Sequence, residues 1–186
     1  MQVMVVYNGT IVTTRNAAKA RNYGFEAQVA ARVTDNLTVR GFALFEDPKY
    51  LEWTDPGTGA DKRDSQFYLV AKKQFAADAT YKIDRYTFNA SYTWVDRTPG
   101  TTTSLSSYVK SYGATEGAKM FKLSNTEAHG LLNLRANAQF GNLDVSVWGK
   151  NVLNTRYNAA VNWSPPFMSA VYNEPATYGV TARVKF

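Results

Sequence analysis

The last eleven residues of the chain, 176–186, alternate strictly between two kinds of side chain. The residues of one parity are apolar: Tyr178, Val180, Ala182, Val184 and Phe186. Those of the other parity are small, polar or charged: Gly179, Thr181, Arg183 and Lys185. Because successive side chains of a strand point to opposite faces, this pattern predicts a strand with one apolar and one polar face. The apolar face runs to the final residue, so the whole strand needs an apolar environment on one side.

Similar alternation recurs along the chain and predicts about eight strands. The segments are 2–13, which is β-rich but irregular, and then 21–33, 37–46, 67–83, 86–95, 130–140, 143–152 and 176–186. Tight turns at Thr34–Asn36, Ile83–Arg85 and Gly141–Asn142 join strand pairs, and 14–19 is expected to be a short connection. Long polar loops span about 47–66, 97–126 and 153–175. Short turns at one end and long loops at the other are typical of outer-membrane barrels.

The predicted fold is therefore all-β, an antiparallel up-and-down meander of a transmembrane β-barrel. Strands of about ten residues suit a tilted membrane crossing, and the sequence has no apolar run of the roughly 18 residues that a membrane-spanning helix needs. Two alternatives remain open at this point. A small closed barrel of about eight strands fits the strand count, and a soluble β-sheet module also alternates and buries aromatic side chains.

Aromatic side chains of the apolar parity fall into two groups, which predict the two girdles of a membrane barrel. Aromatic residues make up 14% of the chain. The group expected near the short turns is Tyr81, Tyr86, Phe140 and Phe186. The group expected near the long loops is Tyr23, Phe45, Trp94 and Tyr178.

Composition argues against catalytic, metal-binding and nucleic-acid-binding functions. The chain has no cysteine and one histidine, so thiolate sites and histidine clusters are not available. His129 lies near Ser124 and Glu127 in sequence, but a triad is defined by geometry and not by proximity along the chain. Asp61, Asp64 and Glu46 do not have the spacing of a calcium loop. We predict a non-enzyme without cofactor or metal, and the scattered basic residues behind the net charge of +6 do not indicate a nucleic-acid surface.

The end of the chain carries a more specific pattern. The blocks Trp148–Tyr157 and Glu174–Phe186 together resemble the C-terminal signature of TonB-dependent outer-membrane receptors. Asn16–Glu26 resembles the strand of these barrels that has small residues followed by Tyr-Gly-x-Glu, and Ala31–Val39 resembles a periplasmic turn of the same family.

The resemblance implies a location in the outer membrane of a Gram-negative bacterium and a role in uptake of a scarce nutrient, most simply a ferric siderophore or a similar iron complex. Receptors of this family have a barrel of about 22 strands with a plugged lumen. Residues 1–186 are expected to be one C-terminal segment, about the last third of such a barrel, without a plug domain. The implied partners are outer-membrane lipid, TonB through a plug not encoded here, the barrel-assembly machinery through the C-terminal strand, and the small-molecule ligand.

Residues of the long loops are the candidates for ligand contact. They mix aromatic and basic groups, which suits an anionic, partly aromatic ligand through charge and stacking. The candidates are Tyr108, Lys110, Tyr112, Lys119, Tyr157 and Trp163, with Lys122 contributing to the same basic composition. The alternative is that these loops are solvated and have no ligand role.

Overall fold

The computed structural model describes residues 2–7, 11–16, 19–55, 59–164 and 167–186. In chain order its elements are β1 (Gln2–Tyr7), β2 (Ile11–Asn16), β3 (Lys19–Arg32), β4 (Leu37–Glu52), β5 (Lys73–Ile83), β6 (Tyr86–Val95), β7 (Thr98–Pro99), α1 (Leu105–Tyr112), α2 (Ala114–Leu123), β8 (Asn125–Thr126), β9 (His129–Phe140), β10 (Leu143–Lys150), β11 (Asn158–Ser164), β12 (Phe167–Tyr172) and β13 (Thr177–Val184). No helix among these residues is long and apolar enough to cross a membrane.

Seven strands form one antiparallel sheet in the order β13-β10-β9-β6-β5-β4-β3. Each strand pairs with the sheet strands that precede and follow it along the chain, which is an up-and-down meander. The prediction of an all-β antiparallel meander is confirmed. β3 and β13 lie at opposite edges, so the described residues form an open sheet and not a closed barrel.

The prediction of a single strand over 2–13 is wrong. β1 and β2 form a separate two-stranded hairpin whose register runs from Gln2 opposite Asn16 to Tyr7 opposite Ile11. The sequence between them contains Asn8-Gly9, a dipeptide typical of tight hairpin turns. The expected short connection over 14–19 is also wrong, because β2 continues to Asn16 and β3 already begins at Lys19.

β4 is longer than the predicted 37–46 and includes Pro48. The backbone N–H of Glu46 donates to the carbonyl of Lys72 at 2.8 Å, on the side of β4 that faces β5. The backbone N–H groups of residues i and i+2 of a strand point to the same neighbouring strand, so the nitrogen of Pro48 also points towards β5. Pairing with β5 ends at Phe45 opposite Lys73, so Pro48 needs no donor there. β5 accordingly begins at Lys73 and not at the predicted 67.

Two of the predicted loops contain regular structure. The segment 97–126 holds α1, α2 and the short β7–β8 pair, and the segment 153–175 holds the β11–β12 hairpin. α1 begins where the Ser104 hydroxyl accepts a bond from the backbone N–H of Ser107 at 3.3 Å, and it ends at Gly113 with a φ of +80°. These are ordinary capping signals. The helices were not predicted because the segment is rich in Ser and Thr, which favour turns as well as helix caps.

The two faces of the sheet differ as the alternation predicts. The apolar parity of the final strand is exposed, with Tyr178 at 66% and Val180 at 70% accessibility. The same holds on the opposite edge for Tyr23, Phe25 and Val29. Over the described side chains, no second sheet or helix covers this surface, which we call the outer face. The opposite side of the sheet, rich in polar side chains, is called the inner face.

Glycines in three strands make room for aromatic rings on neighbouring strands. A Cβ atom at Gly179 would overlap the indole of Trp148 on the inner face, and one at Gly149 would lie 2.9 Å from Cδ1 of Tyr178 on the outer face. A Cβ atom at Gly130 would overlap the ring of Tyr92. Ring packing over a strand glycine restores contacts that the glycine itself cannot make.

We expect Gly179→Ala to lower the free energy of unfolding by about 1–3 kcal/mol, because the added methyl group displaces the Trp148 ring. The measurement is urea unfolding in detergent micelles, followed by tryptophan fluorescence. Ala182→Val on the same strand is the matched control, since it adds volume on the exposed outer face. Equal stability of both variants would contradict the account of Gly179.

Candidate functional site

A row of aromatic rings crosses four neighbouring strands of the outer face towards the long loops. Phe25 is the register partner of Phe45. The rings of Phe45 and Phe75 lie 5.3 Å apart in an edge arrangement, and those of Phe75 and Trp94 lie 5.4 Å apart. Centroid separations in this range suit favourable aromatic pairs. We call Phe25, Phe45, Phe75 and Trp94 the upper aromatic row.

A second aromatic group lies at the end of the sheet with the short turns. Tyr81, Tyr86 and Phe140 are each about 40–46% exposed, and Phe186 at the chain end is fully exposed. The guanidinium of Arg85, in the turn between β5 and β6, lies 5.9 Å from the ring centre of Tyr86 and 5.5 Å from that of Phe140. A guanidinium within about 6 Å of a ring centre is in the range of a cation–π contact.

The eight predicted girdle residues therefore occupy the two ends of the outer face. Seven of them are exposed, and Trp94 is half-buried by its neighbours in the upper aromatic row. The sequence places Phe25 and Phe75 on the apolar faces of their strands, but the girdle prediction did not include them. Their parity was visible, but their position in one row depends on strand register, which the sequence does not give.

The inner face carries a band of bonded polar side chains. Asn89 donates from Nδ2 to a carboxylate oxygen of Asp78 at 2.9 Å, and the Arg135 guanidinium donates to the Ser146 hydroxyl at 2.8 Å. Lys185 lies 3.4 Å from Asp144. Arg40 is the register partner of Asp78 across β4 and β5. This face is suited to water or to polar protein groups, and not to hydrocarbon.

The predicted loop residues do not share one environment. Tyr108 is 5% exposed and packs between α1 and α2, with its ring 6.3 Å from Phe121 and 6.3 Å from Tyr112. Lys110 and Tyr112 on α1 and Lys119 on α2 are exposed. Lys119 lies 3.8 Å from Glu116. The structure thus brings Lys110, Tyr112 and Lys119 onto one helical pair and makes Tyr108 part of its interior.

The other two loop candidates lie elsewhere. The ring of Tyr157 stacks on that of His129, with centroids 3.5 Å apart and planes 11° apart. Trp163 lies in β11, and its side chain is outside the described residues. Ser124 is buried and donates to the Phe121 carbonyl, while Nδ1 of His129 lies 2.8 Å from the carbonyl oxygen of Glu127. The Ser124 hydroxyl also accepts from Nδ2 of Asn125 at 3.5 Å, so Ser124 and His129 are each bonded to other groups and not to each other.

Two of the three acidic residues considered for calcium, Asp61 and Glu46, are engaged with a cation or an amide. The Arg63 guanidinium donates to both carboxylate oxygens of Asp61. Its Nε donates to Oδ1 and also to Oδ2, the latter at 2.8 Å, and its Nη2 donates to Oδ2 at 2.6 Å. These hydrogen bonds hold the pKa of Asp61 below its ordinary value. Glu46 accepts from Nδ2 of Asn22 at 2.9 Å. Within the described residues, no group of three or more His, Cys, Asp or Glu side chains is arranged to hold a metal ion.

The block of residues that follows β10 is organised by one buried amide, Asn151, which is 6% exposed. Its Nδ2 donates to the carbonyls of Thr155 at 2.9 Å and Glu174 at 3.0 Å. Its Oδ1 accepts from the backbone N–H of Thr155 at 2.9 Å. Its own backbone N–H donates to Oδ1 of Asn133 at 2.9 Å. One side chain thus ties the end of β10 to the residues that precede β13.

Two further asparagines extend this connection. Oδ1 of Asn154 accepts from the backbone N–H of Ala176 at 3.1 Å. Asn173 accepts at Oδ1 from the N–H of Tyr157 and donates from Nδ2 to the Thr155 carbonyl, both at 2.9 Å. Asn151 and Asn154 have φ values of +48° and +51°, a conformation that asparagine tolerates better than most residues. The sequence block that carried the family resemblance is thus a structural connection that fixes where β13 enters the sheet.

Neither the scan against protein-family models nor the search of curated proteins found a match. Solved structures do match. The ferric yersiniabactin uptake receptor FyuA from Yersinia pestis superposes with a TM-score of 0.71 at 15% identity, over 94% of this chain and 25% of that one. The siderophore receptor PiuA from Acinetobacter baumannii gives 0.65 at 18% identity, over 88% and 21%. The copper transporter OprC gives 0.65 at 12% identity, over 100% and 26%.

We expect Asn151→Ala to lower the free energy of unfolding by about 2–4 kcal/mol, because it removes three side-chain hydrogen bonds and leaves the backbone N–H of Thr155 without its acceptor, while the carbonyls of Thr155 and Glu174 still accept from Asn173. The measurement is the same urea titration in detergent. Asn22→Ala is the matched control, since it removes one exposed amide bond to Glu46. Losses of similar size in the two variants would contradict a special role for Asn151.

The chain spans about a quarter of the length of the solved structures that it matches. At 12–18% identity, this likeness establishes the fold. The predicted resemblance is confirmed at that level: the chain has the fold of a strand meander from the barrels of TonB-dependent outer-membrane receptors.

Proposed function

We propose that this chain is the C-terminal segment of the barrel of a TonB-dependent outer-membrane receptor. In this proposal the whole barrel has about 22 strands, and β3 and β13 pair with further strands of it. The receptor takes up a scarce nutrient, a ferric siderophore or a similar iron complex. TonB acts through a plug domain, and the barrel-assembly machinery acts on the C-terminal strand.

The observation that carries this proposal is the uncovered outer face. Its side chains are Tyr, Phe, Val, Leu and Ala over seven adjacent strands, and over the described residues nothing packs on them. An apolar surface of this extent is a liability in water and is stable against hydrocarbon. The bonded polar side chains of the inner face fit the lumen of the same barrel.

The alternatives raised by the sequence receive less support. A small closed barrel requires its first and last strands to pair, and in the described sheet β3 and β13 are the two opposite edges. A soluble β-sheet module requires a second layer over the apolar parity of β13, whereas Tyr178, Val180 and Val184 are all more than half exposed.

The ligand class is inferred from the matched proteins and from the loops. One matched receptor is described as bound to ferripyoverdine, another as a receptor for ferric preacinetobactin, and a third as a copper transporter. Ferric siderophores are commonly anionic and partly aromatic. The exposed Lys110, Tyr112 and Lys119 on α1 and α2 supply positive charge and a ring for such a ligand.

The membrane orientation can be tested with single cysteines, because the chain contains none. We expect a nitroxide spin label at Val180→Cys to collide mainly with oxygen, which concentrates in hydrocarbon. We expect a label at Thr181→Cys to collide mainly with a water-soluble nickel chelate, since Thr181 has the opposite parity. The measurement is electron paramagnetic resonance of the full-length protein in lipid vesicles.

Gln28→Cys and Val29→Cys, which are both exposed and have opposite parity, repeat this comparison on β3 and serve as the matched pair. Equal collision with the nickel chelate at Val180 and Thr181 would contradict a lipid-facing outer face.

The ligand proposal is tested by replacing Lys110, Tyr112 and Lys119 together with alanine in the full-length receptor. Each contact is worth about 1 kcal/mol, so we expect the affinity for a ferric catecholate or hydroxamate siderophore to fall by about tenfold or more. Tyr108 stays unchanged because it packs inside the helix pair.

The control replaces Leu105 and Thr115, which are exposed on the same helices, with alanine. An unchanged affinity in the triple variant would contradict a role of α1 and α2 in ligand binding.

A further inference from the structure

Three basic side chains surround one carboxylate at the long-loop end of β3, β4 and β5. Nζ of Lys49 lies 2.9 Å from Oδ2 of Asp47, Nζ of Lys72 lies 3.8 Å from its Oδ1, and Nη2 of Arg21 lies 4.0 Å from its Oδ2. The side chains of Lys49 and Lys72 are more than half exposed. Three cations share one anion, so this cluster keeps an excess of two positive charges. We call these four residues the basic cluster.

The basic cluster lies on the outer face, directly beyond the upper aromatic row. The register pairs Arg21 with Lys49, Tyr23 with Asp47, and Phe25 with Phe45, without a shift between these positions. These residues therefore have the parity of the apolar face. The guanidinium of Arg21 lies 4.6 Å from the ring centre of Tyr23. Along these two strands the surface thus passes from rings to cations within four residues.

Neighbouring acidic groups do not neutralise the cluster. Glu52 is paired with Lys19 at 3.9 Å, and Glu46 accepts from Asn22 at 2.9 Å. Nε of Arg21 is buried without a hydrogen-bond partner. Lys73 lies on β5 two residues before Phe75, so it shares the outer face, and it is the register partner of Phe45, one step below the basic cluster.

We propose that the basic cluster binds the phosphate groups of a membrane lipid headgroup, in the leaflet on the long-loop side. We choose a lipid as the ligand because of where the basic cluster lies, directly beyond the upper aromatic row. Acyl chains of a lipid packed against the upper aromatic row place its headgroup at the height of Arg21, Lys49 and Lys72. Cations near a membrane surface attract anionic headgroups, and arginine binds phosphate with several donors. This proposal rests on the lipid-facing outer face of the proposed function.

The test uses the full-length protein in nanodiscs of phosphatidylcholine with a small fraction of diphosphoryl lipid A, compared with its monophosphoryl form. The readout is the amount of lipid A that stays bound to the protein after extraction into mild detergent, measured by native mass spectrometry. Each cation near the surface changes binding by about fivefold. We therefore expect Arg21→Gln/Lys49→Gln/Lys72→Gln to reduce retained diphosphoryl lipid A by about tenfold or more.

The matched control removes three cations from other surfaces, with Lys62→Gln/Lys122→Gln/Lys150→Gln, and we expect it to retain lipid A like the parent protein. Asp47→Asn changes the result in the opposite direction. It removes the one carboxylate within the cluster while keeping a similar shape, so we expect retention to rise by about fivefold. Structural damage would not produce such a rise. Added inorganic phosphate at millimolar concentration should not displace the lipid, because the acyl chains contribute to its binding.

The proposal is overturned if the triple variant and its control retain equal amounts of diphosphoryl lipid A, or if Asp47→Asn lowers retention. Displacement by inorganic phosphate alone would show a phosphate site without lipid specificity and would also overturn it. Failure of the parent protein to insert into nanodiscs, seen by flotation, is a different result. It would contradict the proposed function and remove the basis of the lipid site with it.

Discussion

The antiparallel ladder of backbone hydrogen bonds holds this chain together, because the described side chains form very little hydrophobic core. The buried apolar side chains among them are those of Tyr50, Trp53, Ala71 and Tyr108, together with Pro48 and Pro99. Tyr50, Trp53 and Phe67 make a small aromatic cluster at the long-loop end of β4, and Tyr108 belongs to the helix pair. The seven paired strands bury almost nothing between layers. A soluble domain of this size depends on such burial for its stability, so the ladder needs an apolar environment on one face instead.

Specific side-chain contacts position the strands within this ladder. The asparagine connection around Asn151 spans the gap between β10 and β13, which the β11–β12 hairpin separates in sequence. Trp148 over Gly179 and Tyr178 over Gly149 pack across the same pair of strands from opposite faces. Together they fix the register of the last strand, and register decides which side chains face outward. A slip of one residue would turn Arg183 and Lys185 to the apolar side.

The connections at the two ends of the sheet differ in structure. α1 and α2 cross closely because Gly117 has no side chain there: a Cβ atom would lie 2.6 Å from the backbone of Tyr108 and Val109. This close contact covers Tyr108 and turns Lys110, Tyr112 and Lys119 outward. At the other end of the sheet the turns are short, and the guanidinium of Arg85 lies within about 6 Å of the ring centres of Tyr86 and Phe140. The two ends of the sheet thus differ in construction.

The sequence alone determined the all-β class, most strand positions, the tight turns and the parity of each strand, because a period of two is a local property of the backbone. It also indicated the family through the blocks around Trp148–Tyr157 and Glu174–Phe186. Tertiary structure decided the rest. Whether Tyr108 is covered, whether Phe25, Phe45, Phe75 and Trp94 form one row, and whether Arg21, Lys49 and Lys72 meet at Asp47 all depend on strand register and helix packing. Those contacts join residues that are distant along the chain, so no local pattern encodes them.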